Sequence, residues 1–265
     1  MFPGAVADRN EAAYAIVGAP LDASTTGQPG TRYGPREVRQ AGAHFEDYDH
    51  HTAQLFSGLA VHDHGDIQPT DDTEEYLDFL RGTLQEYRTE ETVPLVVGGE
   101  HTVSVGAVRA LDPQTVVCLD AHLDLRESYA GNPLSHATAM HHALDVAEDV
   151  VVLGARAGSE REFERASEAD VTVVPPEAVP DWDPDLPERV YLSVDIDAAD
   201  PGFAPGTGTP EPFGLDPATM HRVVRCVAPS AVGFDVVEVN DRDNGQAATL
   251  AAKLLRAFVY AHANG

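Results

Sequence analysis

Short apolar runs alternate with stretches whose apolar positions recur at helical spacing, and the alternation continues along almost the whole chain. The runs at 13–18, 58–61, 93–97, 116–124, 149–153, 171–174, 189–196 and 231–239 read as eight strands. Between them, helices are predicted at 35–43, from 71 through 84, and at 103–111, 135–146, 160–169, 216–227 and 247–261. Pro35 suits a first helical turn, and Asp71-Asp72-Thr73 precedes the helically spaced Tyr76, Phe79, Leu80 and Leu84. Residues 175–187, rich in proline, read as a packed loop with a helical turn. Strands alternating with helices predict an α/β fold: one three-layer α/β/α domain over residues 1–265, with a mostly parallel sheet of about eight strands.

The run at 116–124 closes on Asp120, His122 and Asp124, at alternate positions. If the strand stayed extended to its end, all three would share one face. His101, Asp195, Asp197 and Glu238 stand at the ends of three other predicted strands, and in parallel sheets ligands gather at the carboxyl ends. Any one Asp there reads as a helix cap or turn-former. Together, four carboxylates with no lysine near, and Arg126 as the only adjacent base, require another source of positive charge. Divalent cations remain. Four carboxylates and two imidazoles exceed one tetrahedral zinc and suit two divalent metal ions sharing bridging carboxylates. Oxygen and imidazole donors without thiolate point to Mn²⁺ first, with Ni, Co or Zn left open.

Composition excludes some partners. The net charge is −27, from 17 Lys+Arg against 44 Asp+Glu, and Lys253 is the sole lysine. That argues against nucleic acid and anionic membrane surfaces, both of which need facing positive charge. The acidic excess is spread through segments such as Asp71-Asp72-Thr73-Glu74-Glu75, which favours surface hydration over substrate steering and resembles proteins of extreme halophiles. Cys118 and Cys226 provide neither a disulfide framework nor a thiolate zinc motif, so a cytoplasmic location is expected. The chain shows neither a leader pattern at its first residues nor an apolar run of membrane-spanning length, and is expected to be soluble and unprocessed.

The stretches Gly98-Gly99-Glu100-His101, Asp120-Ala121-His122-Leu123-Asp124 and Ser193-Val194-Asp195-Ile196-Asp197-Ala198-Ala199-Asp200-Pro201 resemble, in order and spacing, the metal motifs of the ureohydrolases, arginase and agmatinase among them. Gly30-Thr31-Arg32-Tyr33-Gly34-Pro35, the loop 204–210 and residues 234–240 extend the resemblance over almost the whole chain. It implies an arginase-like fold and a binuclear centre. His101 and Asp124 would hold one ion, His122 and Asp197 the other, and Asp120 and Asp195 would bridge them. It also implies attack by a metal-bridging hydroxide on a small cationic guanidino substrate received by Glu238, with His136 shuttling protons. Homo-oligomers, trimers or hexamers, go with the family.

Ala137 stands where arginases carry Gly, and the loop 125–134 looks like that of archaeal agmatinases. Agmatine, cleaved to putrescine and urea, is therefore the first substrate expectation, with arginine, guanidinobutyrate or guanidine as alternatives. His141 and His142 replace an expected basic pair, and Phe213 an expected Gly; both bear on specificity. A fold-related deacetylase or amidohydrolase with a single zinc is the rival of another class, and a non-enzymatic relative is the third; the complete ligand set argues against both. His62, Asp63, His64 and Asp66 imitate a ligand cluster, but Gly65-Asp66 resembles a structural turn of the family. His44, His50, His51, His221 and His262 read as surface or packing residues.

Overall fold

The computed structural model describes residues 1–68 and 70–265. In chain order its elements are β1 (Tyr14–Ala19), α1 (Gly34–Ala41), the hairpin strands β2 (Tyr48–Asp49) and β3 (Gln54–Leu55), β4 (Val61–Asp66), α2 (Thr73–Thr89), β5 (Val93–Gly98) and α3 (Val103–Leu111). Then follow β6 (Thr115–Leu119), α4 (Ala139–Ala143), β7 (Asp149–Leu153), α5 (Glu160–Arg165), β8 (Val171–Val174), β9 (Val190–Asp195), α6 (Pro217–Val227), β10 (Ala231–Val237) and α7 (Gln246–His262). A single eight-stranded sheet has the order β4-β1-β5-β10-β9-β6-β7-β8, and its pairings are parallel.

Successive strand residues face opposite layers, and the strands feed two apolar clusters accordingly. Ile16, Val117, Leu119, Leu192 and Val194 join α1, α6 and α7 on one face. Ala15, Val17, Val116 and Val150 join α2, α3 and α4 on the other. Burial on both faces explains why these strands read as continuous apolar runs. Local signals fix the helices: Asp72 accepts from Glu75 N at the start of α2, a cap worth about 1 kcal/mol. Ser159 and Glu162 form a reciprocal capping box on α5.

Four expectations change. The second strand of the sheet is 61–66, not 58–61. It lies at the sheet edge, where polar alternation replaces an apolar run: Arg39 binds Asp63 at 2.8 Å and Asp66 at 2.6 Å, His62 Nδ1 meets Ala7 O, and His64 Nδ1 meets Tyr87 OH. The would-be ligand cluster is thus a structural edge, as the family turn implied. The strand expected to reach Asp124 stops at Leu119. The helix expected at 135–146 is a 3₁₀ turn followed by the short α4, because Thr138 leaves helical geometry and its hydroxyl binds Ser135 O. The helix expected at 160–169 ends at Arg165, which pairs with Asp170. The hairpin of β2 and β3 lacks any apolar run to announce it.

Arg39→Met would take from the buried Asp63 carboxylate its guanidinium partner, leaving it the Phe2 and Gly65 N–H groups and the more distant N-terminus, and is expected to cost up to about 3 kcal/mol in denaturant unfolding. Its bound-metal content should equal that of the unaltered chain by elemental analysis.

Candidate metal centre

The four central strands β5, β10, β9 and β6 are contiguous, and the acidic and histidine residues singled out above follow their carboxyl ends. Gly99 lets the turn after β5 run against the loop after β1: its N–H donates to Ala19 O at 2.7 Å, and a Cβ there would overlap the Leu21 carbonyl. This close approach delivers His101 to the sheet interior. Past β6 the chain is no longer extended; His122 makes an isolated bridge to Ala157 and Asp124 adopts φ +50°. Asp120, His122 and Asp124 therefore converge through a turn, not through the alternation of a strand.

Two imidazole nitrogens are the foci. His101 Nδ1 lies 3.2 Å from Asp120 Oδ2, 2.9 Å from Asp124 Oδ2 and 3.5 Å from Asp195 Oδ2. His122 Nδ1 lies 3.6 Å from Asp120 Oδ1 and 3.0 Å from Asp197 Oδ2. Asp120 thus turns one oxygen to each focus. Backbone and hydroxyl donors fix the carboxylates: Ala121 N and Thr209 Oγ1 donate to Asp197, and Asp197 N donates to Asp195 Oδ1.

Asp120 is held below the usual carboxylate range, since His101 and His122 outweigh the effect of its burial, while its neighbours Asp124 and Asp195 are pushed up. Burial pushes Asp124 up to about 6, helped by the charge of Asp120. Burial, then Asp197 and Asp120, hold Asp195 well above the carboxylate range. Burial opposes charge on His122, yet Asp120 and Asp197 outweigh it and push the imidazole up to about 12. Without cations the cluster can only neutralise itself by gathering protons.

The donor set fits divalent ions. His101 Nδ1 is buried and makes no hydrogen bond of good geometry, although three carboxylate oxygens surround it. A cation among those oxygens and the nitrogen lone pair would satisfy all of them, and the second focus repeats the arrangement with Asp120, His122 and Asp197. Neither nearby arginine supplies that charge. Arg126, expected to be the only adjacent base, pairs with Glu162 at 2.9 Å. Arg156 also lies close enough for its charge to act on Asp197 and Asp120, but its hydrogen bonds go to the carbonyls of Gly154, Asp197, Ala198, Ala199, Glu211 and Pro212, stapling loops without an ion pair to the carboxylates.

Glu238 adopts φ +61° just past β10, and its Oε1 accepts from His101 N at 2.9 Å and faces His136 Nδ1 at 3.2 Å. Its Oε2 is buried without a partner. His136 is anchored by Ser24 Oγ on its backbone N and by Thr26 Oγ1 at 2.9 Å from Nε2, while buried Glu100 holds Ser24 in turn. Burial disfavours charge on His136, but Glu238 outweighs it and raises the imidazole to about 9. A cavity of about 260 Å³ opens onto His122, Asp124, His136, Asp195 and Asp197, with Arg126, Tyr129 and Glu162 farther along its wall. The expected residues thus assemble in one place. Sequence reasoning missed Ser24, Thr26 and Arg156, which carry no periodic or motif signal, and gave Thr209 no role although the loop 204–210 was singled out.

A parallel α/β sheet with paired carboxylate–imidazole foci at its central carboxyl ends has the donor set of a divalent-metal protein. The Arginase family model matches residues 12–260, and the chain belongs to that family. The chain is 36% identical to the N(1)-aminopropylagmatine ureohydrolase of Thermococcus kodakarensis over 96% of its own length and 91% of the relative's. It is 34% identical to the agmatinase of Pyrococcus horikoshii, covering 94% and 91%. The crystal structure of the agmatine ureohydrolase of Thermoplasma volcanium superposes with a TM-score of 0.93 at 34% identity, covering 99% of this chain and 94% of that one. The chain is thus an enzyme of the ureohydrolase class, and the family implies a binuclear divalent metal site.

Proposed function

We propose that this enzyme hydrolyses agmatine to urea and putrescine, using two Mn²⁺ ions. His101 and Asp124 would hold one, His122 and Asp197 the other, with Asp120 and Asp195 shared. The observation carrying this reading is the pair of foci joined by Asp120, beside a glutamate whose Oε2 is free for a cation. Two divalent ions, when bound, supply Lewis acidity that brings the pKa of a water toward neutrality.

The chain's own groups do the rest. Glu238 Oε2 accepts N–H groups of the planar guanidinium, placing its carbon at the foci. A water oxygen bonds to that carbon and gives up both its protons in becoming the urea carbonyl, the C–N bond to the alkyl nitrogen breaks, and that nitrogen leaves as the amine by gaining a proton. His136, an imidazolium below about 9 and held by Glu238 and Thr26, is placed to supply it. For the substrate's tail, an acid would need a free cation at the mouth. The arginine on the cavity wall, Arg126, is already neutralised by Glu162, which supports an amine over guanidinobutyrate or arginine. The curated relatives named as agmatinases support the same choice. Oxygen and imidazole donors at both foci support manganese; the nearby Cys118, 3.8 Å from Asp120 Oδ2, is kept a thiol by burial.

Metal-replete protein offered agmatine, arginine, guanidinobutyrate and guanidine should release urea fastest from agmatine; no urea from agmatine would reject the reading. Asp120→Ala should lose both ions and activity, whereas Glu238→Ala should keep the ions and lose turnover, as read by elemental analysis beside urea release. Because His136 must be protonated to act as an acid, kcat/KM should fall as pH rises through about 9. His136→Asn should lower kcat by roughly 10²–10⁴-fold and abolish that alkaline limb.

A further inference from the structure

Behind His101, on the side away from the carboxylates, lies a second buried carboxylate, Asp235 on β10, outside the expected ligand set. It stands beside Ser193 in the register of β10 with β9. Its Oδ2 accepts from Ser104 Oγ at 2.6 Å and Tyr191 OH at 2.6 Å, and its Oδ1 accepts from Ser193 Oγ at 2.7 Å. Ser193 Oγ in turn lies 3.1 Å from His101 Nε2. His101, Tyr191, Ser193 and Asp235 are fully buried and Ser104 nearly so, which excludes bulk water as an alternative partner.

Counting protons along this chain fixes its direction. A carboxylate only accepts, so each of the three hydroxyls spends its single proton on Asp235. Ser193 then has only lone pairs left for His101, and the ring must donate from Nε2. The second neighbour of Nε2, the Cys118 thiol at 3.8 Å, is a weak partner at longer range. With the Nε2 proton committed, the neutral ring that binding a cation requires would turn its Nδ1 lone pair toward Asp120, Asp124 and Asp195.

We infer that Asp235, acting through Ser193, is a positioning residue: it commits the His101 proton to Nε2 and so preforms Nδ1 as a ligand for one of the two ions. This rests on the reading of His101 as a ligand and assigns a role to a carboxylate and a hydroxyl that touch neither ion nor substrate. A metal-bound histidine usually donates its other ring N–H to a fixed acceptor, and loss of such an acceptor typically weakens metal binding by about 10–100-fold. Here the acceptor is a serine polarised by a carboxylate it cannot rotate away from.

The test is Mn²⁺ binding to the whole chain, read as free Mn²⁺ by electron paramagnetic resonance, with circular dichroism melts to confirm folding. Ser193→Ala should weaken one ion of the two by roughly 10–100-fold and spare the His122-side ion. Ser193→Thr, which keeps the hydroxyl, should restore binding. Tyr191→Phe removes a different donor from Asp235 and keeps the Ser193 link, so it should change either affinity less than about threefold. Ser193→Ala binding both ions as tightly as the unaltered chain would overturn the inference, as would equal weakening of both ions, or Tyr191→Phe matching Ser193→Ala. Should the unaltered chain bind only one ion or release no urea from agmatine, the parent reading fails instead, and those measurements need no variant.

Discussion

An excess of buried negative charge at the carboxyl ends of four adjacent strands is the constraint on which the rest of this structure turns. Asp120, Asp124, Asp195 and Asp197 are buried at the floor of a cavity, and neither Arg126 nor Arg156 forms an ion pair with them. Bringing such groups together is strongly unfavourable unless protons or cations join them. The raised values of Asp124 and His122 are the cost expressed as proton affinity. The surrounding structure holds the charges in register for something to compensate them: hydroxyls, backbone N–H groups, and an arginine turned toward carbonyls.

The sheet accomplishes this by its strand order. β5, β10, β9 and β6 are neighbours in space but come from separated parts of the chain. Turns that leave ordinary backbone geometry, Asp124 and Glu238 with positive φ, then aim side chains that a straight strand would send elsewhere. Such local strain is held by the surrounding packing and concentrates where function needs a particular direction.

Much of this could be read from residues in order. Strands buried on two faces announce themselves as apolar runs, so most of the sheet was visible, and the ligand candidates stood out because acids are costly at the ends of such runs. β4 was misplaced because an edge strand with Asp63 and His64 has no apolar run to see. Asp120, His122 and Asp124 do come together, but not by the alternation expected of a strand, since β6 ends before them. Ser193 and Asp235 show the remaining limit. An acid in the middle of the apolar run Phe234-Asp235-Val236 was a signal of buried polarity, but its partners sit on another strand and a helix, and only the register of β9 on β10 reveals them.

The separation of those four strands along the chain also bears on how the enzyme comes into being. The groups around the two foci span His101 to Asp197, and Glu238 lies beyond them, just past β10, the strand that stands between β5 and β9. Nearest-neighbour contacts cannot build the site; the loop-closure entropy of long-range pairing has to be overcome first. A chain ending before β10 lacks both the strand that stands between β5 and β9 and Glu238 beyond it, so the surroundings of the foci are complete only with β10, and ions bound there would stabilise the whole fold by mass action.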